Sequence, residues 1–259
     1  SMSSNNLKTC RLCSSNKLDI VLNLGTQPLA NSLEKELHKK EDLYPLKICR
    51  CANCQTIQLT ETIQPEKLFK DYVWVTGTSK VALEYSNIFC ERVLNKMDLG
   101  RKSVVEIASN DGTFLKPFIS RGHKVLGIDP AENIAEIANS NNIPTEARFF
   151  SNELAKKLVL SDGTADIIFA RNVIPHVADA NDVVRGISTL LDRRKGIGII
   201  EFHRADIILK ELHYDSIYHE HLFYHSLHSI NLLLESHGLF LFDIEKSSIS
   251  GGSYVVYFK

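Results

Sequence analysis

At 259 residues, 44% of them hydrophobic, the chain is long enough to bury a main core and to carry a small second domain. A formal net charge of −1 argues against a nucleic-acid partner, which calls for a basic stripe. No apolar run approaches the roughly 18 residues of a membrane span, and residues 1–6 lack the charged and apolar regions of a signal peptide, so a cytoplasmic protein is expected.

Two Cys-x2-Cys knuckles, Cys10/Cys13 and Cys51/Cys54, open the chain. Four thiolates presented in pairs suit a tetrahedral zinc ion, and a reducing compartment disfavours disulfides. Cys49 sits two residues before Cys51 and could compete as a ligand, although the spacing favours Cys51 and Cys54. Cys90 reads as a buried small hydrophobe. The intervening Leu24–Asn31 reads as loop. Residues 1–65 are expected to form a zinc-stapled module and 66–102 a linker and helical cover over the active site. Within the latter, Tyr72-Val73-Trp74 either covers a site or, the reading the sequence favours, packs two domains together.

From residue 103 to 259 a second domain is expected. Val104–Ile107 reads as a buried strand, Ala108-Ser109-Asn110-Asp111-Gly112 as a tight polar turn, and a helix is expected from about Gly112. Val125–Ile128 is the next strand, with Asp129 at its tip, placed to accept hydrogen bonds from both hydroxyls of a ribose. A dinucleotide loop needs three glycines against a pyrophosphate, whereas here only Gly112 remains and Glu106 and Asp111 would repel phosphates. The cationic end of S-adenosylmethionine (SAM) fits these acids better. Asn110 or Asp111 can equally cap a helix, and the two roles can coexist.

Strand and helix then alternate: helix over Ile134–Ala138, strand over Thr145–Phe150, helix over Asn152–Leu158, strand over Ala165–Val173, helix over Val183–Leu191, strand over Gly198–Phe202 and helix over Ile230–Leu234. Leu239–Phe242 and Tyr254–Phe258 are separated by a segment too short for a crossover helix, so they should pair antiparallel. Seven strands with the last pair antiparallel predict an α/β fold, the seven-stranded Rossmann-like sheet of SAM methyltransferases, preceded by the zinc module. The cofactor-binding candidates are Ala108, Asn110, Asp111, Gly112, Asp129, Phe150 and Asn172. His176 and the segment Tyr218-His219-Glu220-His221 follow the fourth and fifth strands, where an acceptor would sit. Imidazole there can take a proton from a carbon beside a carbonyl or from a hydroxyl.

The combination resembles the zinc-containing, SAM-dependent C-methyltransferases of nucleotide-linked keto sugars. The carrying residues are the paired knuckles with Gln58-Leu59 behind them, Asn110-Asp111-Gly112, Asn172-Val173 with His176-Val177, Ile217–His221, and Gly251-Gly252-Ser253. The resemblance implies that His221 is the base or its close partner, with Tyr72, His176, Tyr218 and Glu220 lining the acceptor site. It also implies a small-molecule acceptor, a sugar nucleotide or related phosphorylated metabolite, while the charge balance and the short apolar runs lead to the expectation of no nucleic-acid and no membrane partner. Trp74, Pro175 and Phe202-His203 depart from the family pattern. That family continues past the Gly-Gly-Ser hairpin into a further domain, so a chain ending at Lys259 is expected to be either a cut piece or a short relative.

Overall fold

The computed structural model describes residues 4–28, 43–63, 76–204, 223–247 and 252–259. Near the N-terminus, β1 (Ser4–Asn6) pairs antiparallel with β5 (Glu61–Ile63). A four-stranded sheet has the order β11-β4-β3-β2, from β2 (Leu18–Pro28), β3 (Leu43–Cys51), β4 (Ile57–Leu59) and β11 (Phe223–Tyr224). The described part of the expected loop, Leu24–Pro28, is therefore strand. Its antiparallel partner β3 is remote in sequence, and the register slips between Ile20/Leu22 and Asn23/Thr26 around Gly25, whose φ of +70° suits a residue without Cβ.

A seven-stranded sheet runs in the order β12-β13-β10-β9-β6-β7-β8. Its strands are β6 (Ser103–Ile107), β7 (Lys124–Ile128), β8 (Thr145–Glu146), β9 (Ile167–Arg171), β10 (Ile197–His203), β12 (Leu241–Ser247) and β13 (Ser253–Phe258). Val104 to Ile107 are all buried, as are Ile167 to Ala170. Continuous rather than alternating burial is the mark of a strand covered on both faces. Parallel ladders join β6 to β7 and to β9, and β7 to β8. β13 lies between β10 and β12, and its short link to β12 cannot hold a crossover, so this pair is antiparallel. The expected α/β methyltransferase-type sheet is what forms.

The described helices are α1 (Lys80–Leu94), α2 (Lys116–Ser120), α3 (Glu132–Ser140), α4 (Asn152–Asp162), α5 (Ala180–Leu190) and α6 (Leu227–Glu235). Ser79, Ser151 and Ser226 cap α1, α4 and α6 by accepting a backbone N–H two or three residues on, the usual start signal. Several expected bounds shift: the strand expected over Leu239–Phe242 is Leu241–Ser247, that over Ala165–Val173 is Ile167–Arg171, and the helix expected from Val183 starts at Ala180. The helix expected from Gly112 begins only at Lys116, because Ala108, Asn110 and Gly112 all take positive φ and hold the chain in turns. The strand expected over Thr145–Phe150 stops at Glu146, where the Arg148 N–H turns back to the Glu146 carbonyl at 3.0 Å.

The chain divides into two compact units. Residues 1–70, 172–181 and 201–256 belong to one, and 71–171, 182–200 and 257–259 to the other. In the second unit Phe89 of α1 packs on Phe169 of β9 and Phe114, with ring centroids 5.0 and 5.9 Å apart.

Candidate functional site

In the first unit the two knuckles fold alike. The N–H groups of Cys10 and Cys51 donate to the carbonyls of Ser15 and Thr56, those carbonyls of Cys10 and Cys51 accept from Ser14 and Gln55, and Ser14 and Gln55 share φ of 63°. This repeated turn points both cysteines of each pair at one spot. The Sγ atoms of Cys10, Cys13, Cys51 and Cys54 lie within 4.8 Å of one another, with Cys10–Cys54 and Cys13–Cys51 at 3.6 Å. A tetrahedron with bonds of about 2.3 Å has sulfur–sulfur edges of about 3.8 Å, so the four residues fit zinc. Burial pushes the Cys54 thiol up to about 12 and raises Cys10 as well. Thiols that hold their protons this firmly become good ligands only when a cation replaces those protons.

The shell around the sulfurs is ready for that charge. Cys10 Sγ accepts from Gln58 Nε2 at 3.1 Å and from the Leu12 N–H at 3.4 Å, and Cys13 Sγ accepts from Asn53 Nδ2 at 3.4 Å. Gln58 is itself fixed, since its Oε1 accepts from the Arg11 backbone N–H and guanidinium at 3.2 and 3.3 Å. Cys49, the competing candidate, lies outside the cluster; burial pushes its thiol up to about 11. With four closed positions the centre is structural, not catalytic.

In the second unit a loop follows β6. Ala108 and Asn110 take φ of 55° and 52°, a left-handed conformation that costs a non-glycine residue about 1 kcal/mol or more. Gly112, at φ +84°, passes so close to Ile143 that a Cβ would meet its Cγ2 at 2.6 Å. Asp129 ties this loop to β7. Its Oδ2 accepts the Asn110 N–H and its Oδ1 the Ala131 N–H, both at 2.9 Å. Each carboxylate oxygen has a further lone pair, so Asp129 suits a vicinal diol. Burial raises its pKa.

Asn110 and Asp111 are used in a way the sequence did not suggest. Asn110 Oδ1 accepts the N–H of Thr76 at 2.9 Å, and Asp111 Oδ2 accepts that of Gly77 at 2.9 Å. Asp111 Oδ1 takes the Thr113 hydroxyl at 2.6 Å and its N–H at 3.1 Å. The two side chains hold the 3-10 turn Thr76–Thr78 against the loop. Phe150 is buried, with its ring against Gly186 of α5.

A further buried acid stands beside this loop. Glu106 is buried in the middle of β6, Oε1 has no hydrogen-bond partner, and burial raises its pKa well above the ordinary carboxylate value, against the pull of Arg171. In sequence it counted only as an acid beside the loop; its full burial was not legible.

In the first unit, Asn172 has φ of 55°, donates its N–H to the Glu201 carbonyl at 2.7 Å and keeps Oδ1 buried without a partner. His176 ends the 3-10 turn Ile174–His176, its N–H on the Val173 carbonyl at 2.8 Å. Tyr72, Tyr218, Glu220 and His221 lie outside the described residues.

A family model described as "Putative zinc binding domain" matches residues 10–69. The C-methyltransferase NovU of Streptomyces niveus is 32% identical over 251 residues, 96% of this chain, and the chain spans 60% of that relative's length. Two solved structures share the fold. The magnesium protoporphyrin IX methyltransferase of Synechocystis PCC 6803, solved with bound SAM, matches at TM-score 0.52 and 14% identity over 74% of this chain and 88% of its own. A SAM-dependent methyltransferase from Archaeoglobus fulgidus matches at TM-score 0.55 and 13% identity over 68% and 94%. A model described as "Methyltransferase domain" matches residues 83–242, more than half of the chain, and the chain therefore belongs to the methyltransferase domain family.

Proposed function

We propose that this chain is a zinc-containing, SAM-dependent C-methyltransferase whose acceptor is a nucleotide-linked sugar. The observation that carries the cofactor part is Asp129, held by two backbone N–H groups at the end of β7 with lone pairs left for a ribose diol. Transfer to carbon rests on the likeness to the C-methyltransferase NovU, and the sugar part on the family resemblance carried by the Tyr218-His219-Glu220-His221 segment. The reading divides the chain into a zinc module over 1–65, a linker and helical cover over 66–102, and a catalytic domain over 103–259. It places the reaction in the cytoplasm, where thiols stay reduced and able to ligate zinc.

SAM supplies an electrophilic methyl group when bound. Asp129 accepts hydrogen bonds from the ribose, while the buried Glu106 carboxyl, protonated in the free fold, gives up its proton when the cationic end of the cofactor arrives. Ala108 to Gly112, left-handed at alternate positions, bring backbone close to it. His221 takes the proton from the acceptor carbon beside its carbonyl, with Tyr72, Tyr218, Glu220 and His176 around the acceptor. The electron pair left on carbon would then take the methyl that bound SAM supplies, with the neutral thioether as the other product. Fixing two reactants in line accounts for most of the acceleration.

Methyl transfer to a panel of nucleotide-linked keto sugars, phosphorylated sugars and related metabolites, followed by mass spectrometry and NMR, tests this. A carbon-bound methyl on a nucleotide sugar is expected. Transfer to oxygen would replace the reading with an O-methyltransferase, and binding of SAM without any transfer would leave a cofactor-bound scaffold.

A further inference from the structure

Within the second unit the charged groups around the cofactor loop form an unequal set. Burial raises the pKa of Glu106 most, and the charged groups near enough to shift it further are Arg171, which lowers it, and Asp129 and Asp111, which raise it. One cation thus faces three acids.

The sheet register places that cation with care. Glu106 pairs with Phe169 and Ile107 with Ala170 in the parallel ladder between β6 and β9. Arg171, two residues beyond Phe169, points to the same face as Phe169 and Glu106 and stands at the carboxyl end of β9, beside Ala108. This is where the strand order reverses, with β7 on one side of β6 and β9 on the other, and ligands of open α/β sheets bind at that point.

Aromatic rings hold the guanidinium. Its Cζ lies 3.5 Å from the centroid of Phe114, which follows the loop, and 5.3 Å from that of Tyr85 on α1. Stacking uses the flat face of a guanidinium, while its five N–H groups lie in the plane in a fork that matches a carboxylate.

The methionine part of the cofactor carries an ammonium and a carboxylate on one carbon. We propose that Arg171 is the anchor for that carboxylate, opposite Glu106, so that the pair selects the zwitterion. The proposal rests on the SAM reading above and adds a specificity-determining residue to it.

Calorimetric titration of wild-type, Arg171→Gln and Arg171→Lys chains with SAM, its demethylated product and decarboxylated SAM tests it. Wild type should prefer SAM to decarboxylated SAM by about 10–100-fold, the worth of a charge-assisted carboxylate contact. Arg171→Gln should lose that factor for both carboxylate-bearing ligands and bind decarboxylated SAM within about twofold of wild type, which also reports an intact fold. Arg171→Lys should recover part of the preference, since the charge stays and the fork is lost. Equal weakening of all three ligands, or unchanged SAM affinity, overturns the proposal while the SAM reading stands. A wild-type chain that binds none of them overturns both.

Discussion

The Asp129 carboxylate accepts the backbone N–H of Asn110 at 2.9 Å, so the residue expected to grip a ribose also fixes the loop that must approach the cofactor. Asn110 holds a positive φ, and this bond helps to keep it there. Asp129→Ala should therefore weaken SAM binding by about 1.5–3 kcal/mol, with a further loss if the loop relaxes. Calorimetry measures the sum, and unchanged affinity would mean that Asp129 is not the ribose ligand.

Glu106 gives a pH prediction. A buried carboxyl whose folded pKa exceeds its unfolded value keeps its proton in the fold between the two values. Folding then takes up a proton, and stability falls as pH rises from the ordinary carboxylate range through the raised pKa. Glu106→Gln should flatten this dependence and raise the neutral-pH melting temperature, while weakening SAM binding. Melting curves at several pH values check the slope; identical slopes in both proteins would show that Glu106 does not hold the proton.

Gly77 tests the clasp between the 3-10 turn and the loop. A Cβ there would lie 2.6 Å from Asp111 Oδ2, the atom that accepts the Gly77 N–H. Gly77→Ala should lose that bond and about 1–2 kcal/mol of stability, read as a lower denaturation midpoint with little change in slope.

For the metal centre, elemental analysis should find about one zinc per chain, and Cys10→Ser or Cys54→Ser should unfold the N-terminal knuckles. Gln58→Leu should leave the four sulfurs in place but lower zinc affinity about 10–100-fold, because Cys10 Sγ loses a donor. Competition with a chromogenic chelator reads the difference. Metal-free protein after reduced purification would count against the centre.

Under the proposed function, His221→Asn should leave SAM affinity near wild type and cut turnover about 10²–10⁴-fold, the range for losing a general base. Glu220→Gln should raise KM as well if it grips a substrate hydroxyl. Full turnover in His221→Asn would move attention to His176.

The sequence made β6, β7 and β9 legible because unbroken apolar runs have few alternatives, and it made the zinc cluster legible because paired spacing alone selects Cys10, Cys13, Cys51 and Cys54 over Cys49. It hid what depends on remote partners. The Leu24–Pro28 end of β2 looked like loop because its strand character depends on pairing with β3. β11, two residues long, has no pattern of its own and exists by pairing with β4. The late start of α2 turns on three positive φ values that Ala108 and Asn110 do not announce. Arg171 read only as a strand residue, and the register between β6 and β9 brings it to one face with Glu106.

Asn181 adds a consequence for the metal. Its side-chain NH2 donates to the carbonyls of both Arg11 and Leu12, inside the first knuckle, at 3.2 Å each, and its Oδ1 meets His237 Nε2 at 2.8 Å. Asn181 closes the segment 172–181 that carries His176. If removing the ion loosens the knuckle, Asn181 would keep its bond to His237 and lose its mooring on the two carbonyls. Under the proposed function, zinc starvation would then act as a dial on turnover, blunting acceptor chemistry while SAM still binds, through an ion that touches neither reactant.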